Sequence, residues 1–330
     1  MMTKRLNLSI LRVLACIGVF MTHIGQLIPV SGIAGNIVSF GKYGVYIFFL
    51  ISGILGIESY AKYQNVRAYY VNRAKRILPI YFTVIIWYML FYNIILAGYV
   101  IPEDIYKLGW IRYFLFINFC IPGDDFWMNL GAVWTISCFV LFYLLVPVYY
   151  KYIHDMNRAY MNLMICLLLK CIIPNPWFQT VCLLYWFALG IAIHFALEEK
   201  RQHGLILYSC FMILVMLIMR RYDDALLYGH VFAIIIIVLD HITDFVHLPI
   251  VIKKMISILD EYSYCIYLIH PVVIALIKNI FYKWHDMSTR FEITIAYVVG
   301  TAGLSILCHL MIEKPIDKIG RRKGKMMEGK

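Results

Sequence analysis

Arg12 and His23 are the two residues whose types and spacing speak most directly of chemistry. Both stand inside one apolar run, residues 8–28, which reads LSILRVLACIGVFMTHIGQLI. Eleven residues separate them. On an α-helix that is a rotation of about 1100°, within ~20° of whole turns, so the two side chains share a face roughly 16 Å apart along the axis. Ionisable groups inside a membrane helix are costly and mark candidate functional sites. Arginine grips phosphates or stabilises developing negative charge, whereas histidine titrates near neutrality and can take a proton or attack as a nucleophile. A snorkelling arginine at the helix end beside a hydrogen-bonded histidine is the plainer alternative, and the pair alone leaves it open.

Further along, Arg73 and Arg76 stand three residues apart in the sequence YYVNRAKRILPIY. In a helical turn they share a face. Two guanidinium forks side by side suit a phosphate or pyrophosphate, although an ordinary cytoplasmic basic patch reads the same way. Ser52 precedes Gly53 in GVYIFFLISG, a small polar notch for close packing or ligand approach. Trp134 opens WTISCFVLFYLLVP and suits an outer aromatic belt. Tyr267 and His270 lie in SYCIYLIHP, with Pro271 placed to kink the helix beside His270. Glu313-Lys314-Pro315 closes the last apolar run, where proline reads as a stop.

These residues must be held by membrane helices. The 330 residues are 62% hydrophobic and only 15% charged, and the mean hydropathy is +0.77. Soluble domains carry roughly 25% charged residues, so the composition excludes that class. Apolar runs near 8–28, 43–60, 78–98, 131–150, 160–174, 178–197, 204–219, 225–240, 262–282 and 291–312 have the length of spanning helices. The expectation is an all-α, polytopic membrane bundle of about ten transmembrane helices. With the N-terminus inside, Lys and Arg divide 20 inner to nine outer, Arg12 being the thirtieth. That bias places both termini in the cytoplasm. It also accounts for the net charge of +11 without nucleic acid. The start of the chain resembles a signal peptide, but its run is long, carries Arg12 and His23, and lacks a small-residue cleavage site, so we expect it to be retained. The nine cysteines form no CxxC pair and the ten histidines show no HExxH spacing, so neither a disulfide framework nor a metal is expected.

Taken in order, the segments resemble the acyltransferase-3 family of membrane O-acyltransferases. The resemblance rests on Arg12-x10-His23, the GVxxFFxISG-like second helix and the Arg73-x-x-Arg76 loop. It continues with the WTIS…FYLLVP-like fourth helix, the SYxxYLxHP-like ninth helix and the terminal EKP. It covers the whole chain, as an acyltransferase domain over 1–320 and a basic tail over 321–330. It implies acyl transfer, most simply of acetyl, from cytoplasmic acetyl-CoA to a hydroxyl of a cell-surface or lipid-linked polysaccharide sugar, in the bacterial inner membrane. His23 and Arg12 would be catalytic, and Arg73 and Arg76 would hold the acyl-CoA. Ser52, Trp134, Tyr267 and His270 are further candidates. The expected partners are acyl-CoA, the glycan acceptor and membrane lipid.

One departure stands out. Many members carry glutamate in the fourth-helix motif, where this chain has Phe139 and Val140. No hydrolase-like domain is seen either, so the membrane domain is expected to complete the transfer itself. The motifs read singly leave two other readings open: a glycan or small-anion transporter, and a non-catalytic subunit of a polysaccharide-synthesis complex.

Overall fold

A computed structural model describes residues 2–25, 27–90, 111, 113–117, 133–173, 179–219, 224–242, 248–283 and 290–316. The basic tail over 321–330, most of the long connection over 99–130 and the end of the third apolar run lie outside the described residues. Among the described residues the chain is all α-helical, with no strand.

The helices are α1 (Met2–Ile24), α2 (Gly32–Phe40), α3 (Gly44–Ala61), α4 (Val66–Leu90), α5 (Trp134–Tyr152) and α6 (Met156–Ile172). They continue as α7 (Gln179–Glu198), α8 (Gln202–Met219), α9 (Asp224–Ile242), α10 (Ile250–Lys283) and α11 (Arg290–Cys308). A single π-helical turn, His309–Glu313, extends α11. The protein is therefore a polytopic membrane bundle. Seven described spans are long and apolar enough to cross a bilayer. The others depart for visible reasons. The α4 helix carries Arg67, Arg73, Lys75 and Arg76 in its first half, and α6 is only 17 residues long.

Several boundaries differ from the sequence expectation. α4 begins at Val66, twelve residues before the expected 78, so that Arg73 and Arg76, expected in a loop, stand in a helix. The first helix ends at Ile24, where the Gly25 N–H closes a turn on the Thr22 carbonyl. The ninth begins at Ile250, twelve residues early, because Lys253, Lys254, Asp260 and Glu261 interrupt the apolar signal without interrupting the helix. At 34 residues it is roughly 51 Å long, more than the ~30 Å hydrocarbon core, so part of it lies beyond the hydrocarbon. The last helix is described to Ile316, one residue past Pro315, with the π turn His309–Glu313 just ahead of it.

The centre of the bundle is α7. It is apolar over nearly its whole length, with His194 and Glu198 near one end, and 83% of its span is buried, against 22% for α11. A helix without a polar face belongs inside the bundle. Trp186, Tyr185 and Phe187 are fully buried on it. It crosses α3 where Gly53 meets Gly190, and a Cβ on either would overlap a carbonyl oxygen of the other helix, of Phe187 or Leu50. Small residues are what let two membrane helices approach this closely. The α3 helix is thereby pinned between the core helix and the rest of the bundle.

α1 lies along α10. Arg12 meets Asp260 and His23 meets His270, so the two helices run parallel and in register, since 11 residues on one match 10 on the other. That geometry confirms that Arg12 and His23 share a face.

The Gly53–Gly190 crossing gives a direct test. Gly190→Ala is expected to lower the stability in detergent by about 1–3 kcal/mol, as overpacking does. Gly303→Ala, where an added Cβ meets nothing within 4 Å, should be neutral or stabilise by up to ~1 kcal/mol. Thermal melting of the two purified variants against wild type reads both.

Candidate functional site

Five helices surround a cavity with about 140 Å³ of water-accessible space. α1 contributes Arg12. α3 contributes Phe48, Ile51, Ser52, Leu55 and Gly56, and α4 contributes Arg73, Arg76 and Ile77. α5 adds Ile136, Phe139 and Tyr143, while α10 adds Ser263, Tyr264 and Tyr267. The sequence candidates Arg12, Arg73, Arg76, Ser52 and Tyr267 thus converge on one space, although Arg12 and Tyr267 stand 255 residues apart.

Among the described residues the lining holds three arginines and no carboxylate. Arg12 is balanced from behind. Its guanidinium lies 3.1 Å from Asp260, which also accepts a 2.7 Å hydrogen bond from the Ser9 hydroxyl. The Arg12 Nε and the Asp260 Oδ1 are buried without a partner. Among the described residues, neither Arg73 nor Arg76 has a carboxylate within ion-pair distance. Arg73 lies over the rings of Tyr143, at 4.7 Å, and Tyr69, at 5.4 Å. Aromatic faces hold a guanidinium without neutralising it. Two positive charges are therefore left facing the cavity, which suits an anion of at least two charges. Tyr69 lies ahead of the apolar part of α4, and burial pushes its phenol up to about 12, so it stays a neutral ring.

Where the fourth-helix motif of the resemblance carries glutamate, Phe139 forms cavity wall. Its ring packs on Phe49 at 5.2 Å and Phe187 at 5.6 Å. The wall is apolar at that point, and the basic charge of the cavity goes uncompensated by α5.

His23 is not part of this lining. It stands against His270, with ring centroids 4.7 Å apart. His270 is 1% exposed. Its Nδ1 lies 3.2 Å from the Ile266 carbonyl. A carbonyl only accepts, so Nδ1 carries the proton and Nε2 keeps its lone pair. That Nε2 is buried without a hydrogen-bond partner. Phe20 stands edge-on to His270 and stacks flat on Tyr297 at 4.3 Å, which walls the pair off on the α11 side.

Tyr267 connects the two places. It lines the cavity, lies 5.9 Å from His270 ring to ring, and shares a 3.1 Å hydrogen bond with Thr135. Tyr264, also on the wall, donates to the carbonyl of Ile77, next to Arg76, and so ties α10 to α4. Trp134 does not line the cavity. It packs near Phe49 at 6.2 Å, as part of the α3–α5 contact.

Sequence reasoning missed Asp260, Ser9, Tyr143 and Tyr264. Asp260 carried a signal: it stands ten residues before His270, as Arg12 stands eleven before His23. Placing the start of α10 too late hid it.

A family model described as an acyltransferase domain matches residues 5–310, a range that includes every cavity and histidine residue named above. Nodulation protein 10 of Rhizobium leguminosarum bv. viciae is 28% identical over 175 residues, which cover 47% of this chain and 47% of that protein. The chain thus spans about half the length of this curated relative. No solved structure matches.

The Arg12–Asp260 pair predicts a stability pattern. Asp260→Ala, which strands the buried guanidinium, should cost about 3–5 kcal/mol, while Arg12→Met with Asp260→Leu should cost far less. Melting curves of the single and double variants in detergent measure the difference; equal losses would mean that the pair does not carry the helix contact.

Proposed function

The chain belongs to the acyltransferase-3 family, and we propose that it acylates a sugar hydroxyl of a cell-surface or lipid-linked polysaccharide, taking acetyl from cytoplasmic acetyl-CoA. That it is a membrane acyltransferase follows from the family; donor, acyl group and acceptor are this proposal. The observation that carries it is the cavity of three arginines, two of them without a counter-charge among the described residues, joined through Tyr267 to the His23–His270 pair.

Acyl transfer from a thioester needs three things: a held donor, a deprotonated hydroxyl and a stabilised oxyanion. Arg73 and Arg76 bind the donor phosphates, with Arg12 as a third cation deeper in the cavity. His23 is the base. It removes the proton as the sugar oxygen attacks the thioester carbonyl, and a tetrahedral intermediate forms. Collapse expels the CoA thiolate, which takes up the proton from His23. His270, whose ring lies 4.7 Å from that of His23, positions His23 by contact. The rise from Arg12 to His23 is roughly 16 Å, of the order of an extended pantetheine arm. A donor bound from inside would thus present its thioester toward the outer leaflet.

The charge bias of the loops supports both termini inside; a bacterial inner membrane and one catalytic domain over 1–320 are what the resemblance implies. The family favours transfer over the transporter and subunit readings.

Three substitutions test this. His23→Ala should abolish O-acylation of the surface glycan while the protein still inserts, and His270→Ala should lower turnover about 10²-fold or more. Mass spectrometry of glycans from a deletion strain complemented with each variant measures the loss; retained acylation with His23→Ala would remove it from the mechanism. Phe139→Glu places a carboxylate among the arginines and is expected to weaken CoA binding about tenfold, roughly 1.4 kcal/mol. Calorimetry on the purified protein reads that directly.

A further inference from the structure

Behind the Tyr264 wall lies a second cluster, outside the lining of the cavity. Cys265 of α10 faces His309 and Glu313 of the π turn, and their sulfur, nitrogen and oxygen atoms all lie within 4.8 Å of one another. His309 Nδ1 is 2.7 Å from Glu313 Oε2, and Cys265 Sγ is 3.2 Å from the same oxygen. On the far side of the imidazole, Nε2 lies 3.3 Å from Glu261. Tyr262 packs on the ring at 4.5 Å.

We infer that Cys265, His309 and Glu313 form a zinc site. A thiolate, an imidazole and a carboxylate are a donor set for zinc, and three protein ligands leave its fourth position for water. A metal-bound histidine usually donates its other N–H to a carboxylate, which is the place Glu261 occupies. The π turn is the backbone feature that presents His309 and Glu313 together, and such turns recur at functional sites. Cys265 and His309 are buried, whereas Glu261 is 60% exposed and gives the ion a path in.

A second histidine makes the contrast. His194 also lies between two glutamates, Glu58 and Glu198, yet no cysteine joins that group among the described residues. Cys265 is what sets the first cluster apart. Binding exchanges the thiol proton for the metal and releases it to solvent. The ion clamps the end of α11 to α10 one residue from Tyr264, and so holds the cavity wall from behind. Local spacing in the sequence could not show it, because 44 residues separate Cys265 from His309.

The test uses the full chain purified in detergent and stripped with chelator. Addition of Co²⁺ should give about one ion per chain, with a thiolate-to-cobalt charge-transfer band and the strong visible bands of a tetrahedral site. Zn²⁺ should displace it and raise the melting temperature of wild type. Cys265→Ser and His309→Ala should lose the band, and Glu261→Gln should keep it with affinity lowered about 10–100-fold. A Cys265→Ser spectrum identical to wild type would overturn the site, as it would place the cobalt on another cysteine. An unchanged wild-type melting temperature with zinc or chelator would overturn it without relying on any variant.

Discussion

The parallel contact of α1 with α10 is the constraint on which the site depends. At one end an arginine and an aspartate neutralise each other; at the other, two histidines meet. Neither charged partner would be tolerable alone in a membrane span, so each fixes the depth and rotation of the other helix. Once those two helices are in register, Arg12 faces the cavity, Tyr267 lines it, and His23 and His270 are set beyond it.

The remaining helices close the space around that pair. The tight crossing at Gly53 and Gly190 draws α3 onto the core helix, and the face of α3 beside that crossing presents Ser52, Leu55 and Gly56 to the cavity. The Tyr264 bond to the Ile77 carbonyl brings in α4 with its arginines. Aromatic rings hold Arg73 where a carboxylate would have cancelled it. The cavity stays cationic where Phe139 takes the wall position, which suits the phosphorylated donor proposed above.

Much of this was legible in the sequence. Helix number one and its shared face follow from period and spacing, and the convergence of Arg12, Arg73, Arg76, Ser52 and Tyr267 accords with the family resemblance. What could not be read has physical causes. Asp260 lies in a stretch whose lysines and acids mask a continuous helix, so hydropathy starts α10 too late. The π turn at His309–Glu313 is likewise invisible to local rules, which see only an apolar helix running to Pro315. The His23–His270 contact, and the separation of His23 from the arginine cavity, are tertiary facts with no local signature. The pairing of Tyr143 with Arg73 is of the same kind, since an aromatic residue in an apolar helix says nothing of the cation it will meet.

The most direct measurement is a cryo-EM structure of the protein with a non-hydrolysable acetyl-CoA analogue. The account predicts the phosphates against Arg73 and Arg76 and the acyl carbonyl past Tyr267, within reach of His23. Analogue density lying elsewhere, or with its acyl end turned away from the histidine pair, would contradict it.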